Sequence, residues 1–214
     1  MRQPTFDSKE EMHIWWYLME LYEYGFIDFV QYHPEPFLLS EKQFIPEYKM
    51  IQKTKRKEVW SHVAAVFINQ HVYTADFKIV WTSIGADFFV NRYDEEDKKK
   101  PFWGKIINDE IVSYIDVKGS FSGPNNSSAI TFPLNQKWVF DKHGVYVQKV
   151  IPVYGQRKGV RTLYKGLFVD TFTPERYLYC DEKDNRARGI KYEPIKAGDY
   201  IELITRKEAA TQTA

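Results

Sequence analysis

Two short segments carry the residues best suited to chemistry. The first is Tyr73-Thr74-Ala75-Asp76-Phe77, and the second is Tyr114-Ile115-Asp116-Val117-Lys118-Gly119. In an extended strand side chains alternate between faces, so Asp116 and Lys118 share one face while Ile115 and Val117 take the other. This sets a carboxylate and an ammonium about 7 Å apart at the end of an apolar strand, which is costly unless the groups are solvated or used. Asp76 is likewise bracketed by apolar residues. Two carboxylates brought together repel unless a cation lies between them. A donor set of oxygens without Cys or His suits Mg²⁺ or Mn²⁺. Such a cation polarises a phosphoryl oxygen and activates water, and the lysine orients that water or offsets developing charge.

The elements that must position these groups are legible as periodicities. Residues 8–24 predict a helix: Ile14, Leu18 and Leu21 recur at helical spacing, Ser8 caps the start, Ser8-x-x-Glu11 has the form of a capping box, and Gly25 stops it. Residues 63–81 are rich in β-branched and aromatic types and predict two strands turning near Asn69-Gln70, the second over 72–81. Residues 54–58 (TKRKE) form a surface charge cluster, and 94–101 (DEEDKKKP) a solvated tip. A strong strand is expected over 111–119, a polar loop over 122–128, a helix over 131–143 with Pro133 in its first turn, and a strand over 145–153. The region 155–200 reads as short strands and turns, and the tail EAATQTA as frayed. This order predicts an α/β core on a mixed sheet, not a doubly wound one, because too few helices separate the strands.

The ordered set Phe6-Asp7-Ser8-Lys9-Glu10-Glu11, Gln31, Phe37-Leu38-Leu39, Tyr73-Thr74-Ala75-Asp76-Phe77 and Ile115-Asp116-Val117-Lys118-Gly119 resembles the PD-(D/E)XK nuclease superfamily. Within it, the order is similar to phage-type Holliday-junction resolvase-like and transposase-endonuclease members. The resemblance covers about residues 6–150. It implies a restriction-endonuclease-like mixed sheet flanked by helices, with Glu11, Asp76, Asp116 and Lys118 as the catalytic set. Glu11, Asp76 and Asp116 would hold Mg²⁺ or Mn²⁺, and a polar or basic residue on the following helix, Gln136 or Lys137, would assist. The implied activity is metal-dependent hydrolysis of DNA, branched or double-stranded, with a four-way junction as one candidate substrate and a homodimer as the form that cuts it symmetrically. Ala75 stands where many members have proline, Asp116 where Glu is commoner, and the forty positions from Asp76 to Asp116 imply an insertion around 82–110.

Each residue also admits a plainer role. Glu11 is the acceptor of a capping box, Asp76 a partner for Lys78 on its own face, and Asp116 with Lys118 an exposed ion pair of little energetic value. Trp15, Trp16 and Tyr17 read as core plus one partly exposed ring, and Cys180 as a small apolar filler.

The chain has 214 residues, with 30 Lys+Arg, 29 Asp+Glu and a formal net charge of +1, which excludes a uniformly basic coat. The charge is instead uneven: residues 149–165 hold Lys149, Arg157, Lys158, Arg161 and Lys165 and no acid. With Lys137 these residues are the candidate nucleic-acid contacts; Gly155 and Gly159 flank Gln156-Arg157-Lys158, which is expected to be a flexible loop along a phosphate backbone. Residues 151–214 are expected to form a basic, β-rich extension, within the same domain or beside it, that selects substrate or a protein partner. A single Cys excludes an internal disulfide and a thiolate zinc cluster, and five scattered His show no zinc spacing. No apolar run is long enough to span a membrane, so the expectation is a soluble protein of the cytoplasm. The main alternative to the enzyme is a non-catalytic nucleic-acid-binding or assembly protein that keeps the fold.

Overall fold

In a computed structural model the residues described are 3–44, 48–54, 57–63, 66–92, 100–119, 127–159, 161–179 and 190–212. The chain opens with helix α1 (Lys9–Glu23) and strand β1 (Ile27–Tyr32). Strands β2 (Phe37–Ser40), β3 (Gln43–Phe44), β4 (Tyr48–Thr54), β5 (Lys57–Val63), β6 (Val66–Ile68) and β7 (His71–Tyr73) follow. β8 (Phe77–Trp81), α2 (Ser83–Phe89), β9 (Val90–Arg92), β10 (Phe102–Ile107) and β11 (Glu110–Val117) follow. After them come α3 (Ser127–His143), β12 (Val147–Val150), the hairpin β13 (Tyr154–Lys158) and β14 (Arg161–Lys165), and the helices α4 (Leu167–Asp170), α5 (Glu175–Tyr179) and α6 (Ala197–Gln212).

The main sheet runs β1-β8-β11-β10-β9, with β12 along the second edge of β11. β11 meets β10 through its first residues and β12 through its last, from Tyr114↔Val147 to Val117↔Val150. Its pairs with β8 and β10 are antiparallel and its pair with β12 is parallel, so the sheet is mixed, as expected. Strands β2 to β7 form three separate antiparallel pairs, β2–β7, β3–β6 and β4–β5.

α1 forms because Ser8 supplies its cap: Ser8 Oγ accepts from the Glu11 N–H at 3.2 Å. Eight consecutive residues, Glu11 to Leu18, are buried, so the helix is enclosed on all sides rather than lying on a surface. Ile79, Ile115, Val117 and Val150 of the sheet cover one side, and Phe168 and Phe172 belong to the same core. Tyr17 stacks on Phe172 at 4.1 Å between ring centroids. The high aromatic content is therefore spent largely in this core. Trp15, Trp16 and Tyr17 are all buried, and the partly exposed ring expected among them is absent. The opposite face of the sheet packs Tyr114 and Val147 against Phe132 and Val139 of α3.

Several expectations are corrected. The strand expected over 72–81 is interrupted at Thr74–Asp76, where the chain leaves β7 and enters β8. α3 begins at Ser127, so Pro133 lies inside the helix, not in its first turn. Within 82–110 the described residues Phe89, Val90 and Phe102 are buried in the core, and β10 pairs with β11. Among the described residues the C-terminal part is not β-rich, since one hairpin is followed by α4, α5 and α6; Leu167, Phe168, Phe172 and Ala197 join the main core, which anchors it to the first 150 residues. Cys180, most of the tip 94–101 and most of the loop 122–128 lie outside the described residues. Among the described residues no helix is long and apolar enough to cross a membrane.

Candidate functional site

Asp76 sits where β8 begins. Its N–H donates to Ile115 O of β11 at 3.0 Å, and its C=O accepts from the His33 N–H just beyond β1 at 3.0 Å. Both neighbours therefore fix its backbone. Its side chain turns to β11, where Oδ2 accepts from the Val117 N–H at 2.6 Å. That bond, and not one to Lys78, is what holds the Asp76 carboxylate.

Asp116 and Lys118 lie on the α3 face of β11, as strand alternation requires. Asp116 is only 4% exposed. One of its oxygens pairs with Lys118 Nζ and the other accepts from the Tyr73 hydroxyl. Lys118 lies over the Phe132 ring of α3, 5.7 Å from its centroid, and its N–H donates to Val150 O at 2.8 Å. The ion pair is thus largely buried, not the exposed pair of the plainer reading.

Glu11 arrives from the first turn of α1. Its carboxylate accepts from Ser8 Oγ at 2.7 Å, from the Asp7 N–H at 3.2 Å and from the Tyr32 hydroxyl at 2.6 Å. The cap is therefore real, and the cap residue stands beside the acids. Glu10, its neighbour, points its carboxylate at Gly119: a Cβ there would meet Glu10 Oε1 at 3.2 Å.

Electrostatics show that the acids act on one another. Burial above all, then the Asp116 charge and more weakly Glu11, push the Asp76 pKa up, to a net value of about 7. The Val117 N–H and the Lys118 ammonium offset part of this. The Tyr73 hydroxyl is held far above its usual range by burial, by the Asp116 charge and by the hydrogen bond it donates there. It stays a donor at any ordinary pH.

The site is thus built from Asp76, Asp116 and Lys118 at one end of the sheet, with Glu11 within electrostatic reach. The three expected metal ligands are not equally close. Among the described residues, Asp7, Glu11 and His33 form the set whose ligand atoms all lie within 4.8 Å of one another. Glu11 leans toward that set because Ser8, Asp7 and Tyr32 hold its carboxylate. The donor chemistry still fits a hard divalent cation: Asp76 and Asp116 are oxygen donors whose repulsion a cation would relieve.

Tyr73, Tyr32, Glu10, Asp7 and His33 were not singled out by type and spacing. Tyr73 stands three residues before Asp76, and the break in the strand there is the feature that brings its hydroxyl to Asp116. Nothing in the pattern marks Tyr32.

The basic residues fall in different places. Lys137 is exposed on α3, next to Gln136, whose Nε2 donates to Val147 O at 2.6 Å. Lys149 is exposed on β12 in register with Asp116. The expected flexible loop is the regular hairpin β13–β14, turning at Gly159 with φ +61°. Its register sets Arg161 and Lys165 on one face and Arg157 on the other, all exposed. Lys158 is a strand residue paired with Arg161. A groove of about 1010 Å³ lies elsewhere, between α1, α5 and the start of α6, lined by Trp16, Glu20, Arg176 and Asp199. It contains none of the four expected catalytic residues.

Comparison with protein-family models, with curated proteins and with solved structures finds no match to this chain.

Proposed function

We propose that this chain is a metal-dependent endodeoxyribonuclease of the PD-(D/E)XK type, on a restriction-endonuclease-like core. The observation that carries the reading is the convergence of Asp76, Asp116 and Lys118 from two adjacent strands at one end of a mixed sheet, beside the first turn of α1. Residues forty positions apart come together at one end of the sheet, which supports this reading.

Asp76 and Asp116, with Glu11 directly or through water, supply the oxygens that would hold Mg²⁺ or Mn²⁺. When bound, that cation would polarise the phosphoryl oxygen and lower the pKa of water. Tyr73 fixes the Asp116 carboxylate from one side while Lys118 holds it from the other. The Lys118 ammonium, which pairs with Asp116, would orient the attacking water or offset charge on the phosphoryl oxygens. Water oxygen bonds to phosphorus as the bond to the 3′ oxygen breaks, leaving a 5′-phosphate and a 3′-hydroxyl.

The test is incubation of purified protein with labelled four-way junction, flap, nicked, duplex and single-stranded DNA in Mg²⁺, in Mn²⁺ and in EDTA. Cutting that needs the metal supports the reading, and the rank order of substrates identifies the preferred structure. Binding without cutting on any substrate, in either metal, favours the non-catalytic nucleic-acid-binding role.

A further inference from the structure

One cation at the acidic centre has no task in the nuclease mechanism. Strands β11 and β12 run parallel, and Asp116 is paired with Lys149 in their register. Residues paired across neighbouring strands point to the same face of a sheet. The packing agrees. Tyr114 and Val147, two residues before Asp116 and Lys149, belong to the cluster packed on α3, while Ile115, Val117 and Val150 belong to the core around α1. Lys149 therefore leaves the sheet beside Asp116, one strand spacing away, about 4.8 Å.

The two lysines of the centre differ. Lys118 is three-quarters buried, pairs with Asp116 and offsets the Asp76 charge. Lys149 is exposed, and among the described residues no carboxylate pairs with it. Both Asp116 oxygens are already engaged, one by Lys118 and the other by the Tyr73 hydroxyl. The Lys149 ammonium thus stands in solvent at the rim of the centre. From β12 the chain passes to the hairpin β13–β14, where Arg157, Arg161 and Lys165 are exposed, and residues 149–165 contain no acid. A polyanion that leaves the acids across β12 meets positive charge alone on this stretch.

We propose that Lys149 holds the phosphate next to the scissile one, so that the nucleic-acid backbone crosses the end of the sheet from the acids over β12. This rests on the nuclease reading and adds to it the residue that sets the substrate in register. The acidic centre engages a single phosphate, which any nucleotide carries. A second phosphate contact fixes position along a backbone and favours a chain over a monophosphate. The phosphate on Lys149 does not react, so its ammonium serves ground state and transition state alike. The plainer role for Lys149 is a charge that keeps an exposed edge strand from pairing with another chain.

Two probes without a phosphodiester bond separate the contacts: thymidine 5′-phosphate, with one phosphate, and thymidine 3′,5′-bisphosphate, with two. Each is titrated calorimetrically in Mn²⁺ into wild type, Lys149→Met and Lys149→Arg, and melting temperatures establish that the variants are folded. In wild type the second phosphate should raise affinity about tenfold, the size of one charge-assisted contact. Lys149→Met should lose most of that gain while binding the monophosphate as wild type does, and Lys149→Arg should keep it. A gain that persists in folded Lys149→Met would overturn the proposal and leave the nuclease reading standing. So would a wild type that binds both probes equally, or an equal loss on both probes in Lys149→Met, which would put the lysine on the central phosphate. Binding of neither probe by wild type would overturn the proposal together with the nuclease reading.

Discussion

The raised pKa of Asp76 makes Asp76→Asn a quantitative test of how the site is built. The group titrates near 3.8 when unperturbed and at about 7 in the folded protein. Its ionised form is therefore disfavoured by folding. Below about pH 4 the carboxyl is protonated in both states and costs nothing. Between about pH 4 and 7 the unfolded chain ionises first, so stability falls as pH rises, and above 7 the full penalty applies. Three units at about 1.4 kcal/mol each give an upper bound of about 4 kcal/mol. Residual solvent access to the half-buried carboxyl reduces this to about 2 kcal/mol. Asparagine retains an oxygen to accept from the Val117 N–H and removes the charge. In EDTA at pH 8, Asp76→Asn should be more stable than wild type by about 2 kcal/mol, a melting-temperature rise of roughly 4–8 °C for a chain of this size. Near pH 4 the difference should vanish. Added Mg²⁺ at pH 8 should stabilise wild type and leave the variant little changed. Calorimetric melts from pH 4 to 8.5 read all of this. A difference that does not change with pH, or a variant less stable throughout, would refute the electrostatic reasoning.

Two other changes probe different parts of the structure. Tyr73→Phe removes the donor that positions Asp116 and should weaken Mn²⁺ affinity by about 10–100-fold while the fold survives; calorimetric titration reads it, and unchanged affinity would show Tyr73 to be packing alone. Gly85→Ala drives a Cβ into the Phe26 carbonyl oxygen, in a contact closed by backbone. Because neither side of it can rotate away, the cost should be about 3 kcal/mol or more in a denaturant melt, and a wild-type midpoint would contradict the packing described.

The helix α1 and the strand β11 were legible because each carries its own period and its own end signals. Ser8 and Gly25 bound the one, and Ile115 and Val117 alternating with Asp116 and Lys118 mark the other. The mixed sheet followed from the order of such elements. What was not legible depends on tertiary contacts. The region around α4 read as strands because Phe168 and Phe172 are placed to stack on Tyr17 rather than to repeat along a helix. α3 runs through Pro133 because its packing against the sheet outweighs the missing N–H. In the site, Asp76, Asp116 and Lys118 were found by residue type and strand parity. Tyr32 and Tyr73 were not, since a tyrosine in an aromatic-rich chain gives no sign that its hydroxyl reaches a carboxylate. The lean of Glu11 toward Asp7 and His33 depends on Tyr32 and was hidden for the same reason.

The central claim is that Asp116 and Lys118 belong to a metal-dependent phosphodiesterase centre. Single-turnover cleavage of the best DNA substrate in Mg²⁺, by wild type, Asp116→Asn and Lys118→Met proteins of matched fold, tests it most directly. The account predicts metal-dependent cutting by wild type and rates at least about 100-fold lower in both variants, in keeping with the loss of a group that acts on the transition state. Cleavage by both variants at the wild-type rate would contradict it.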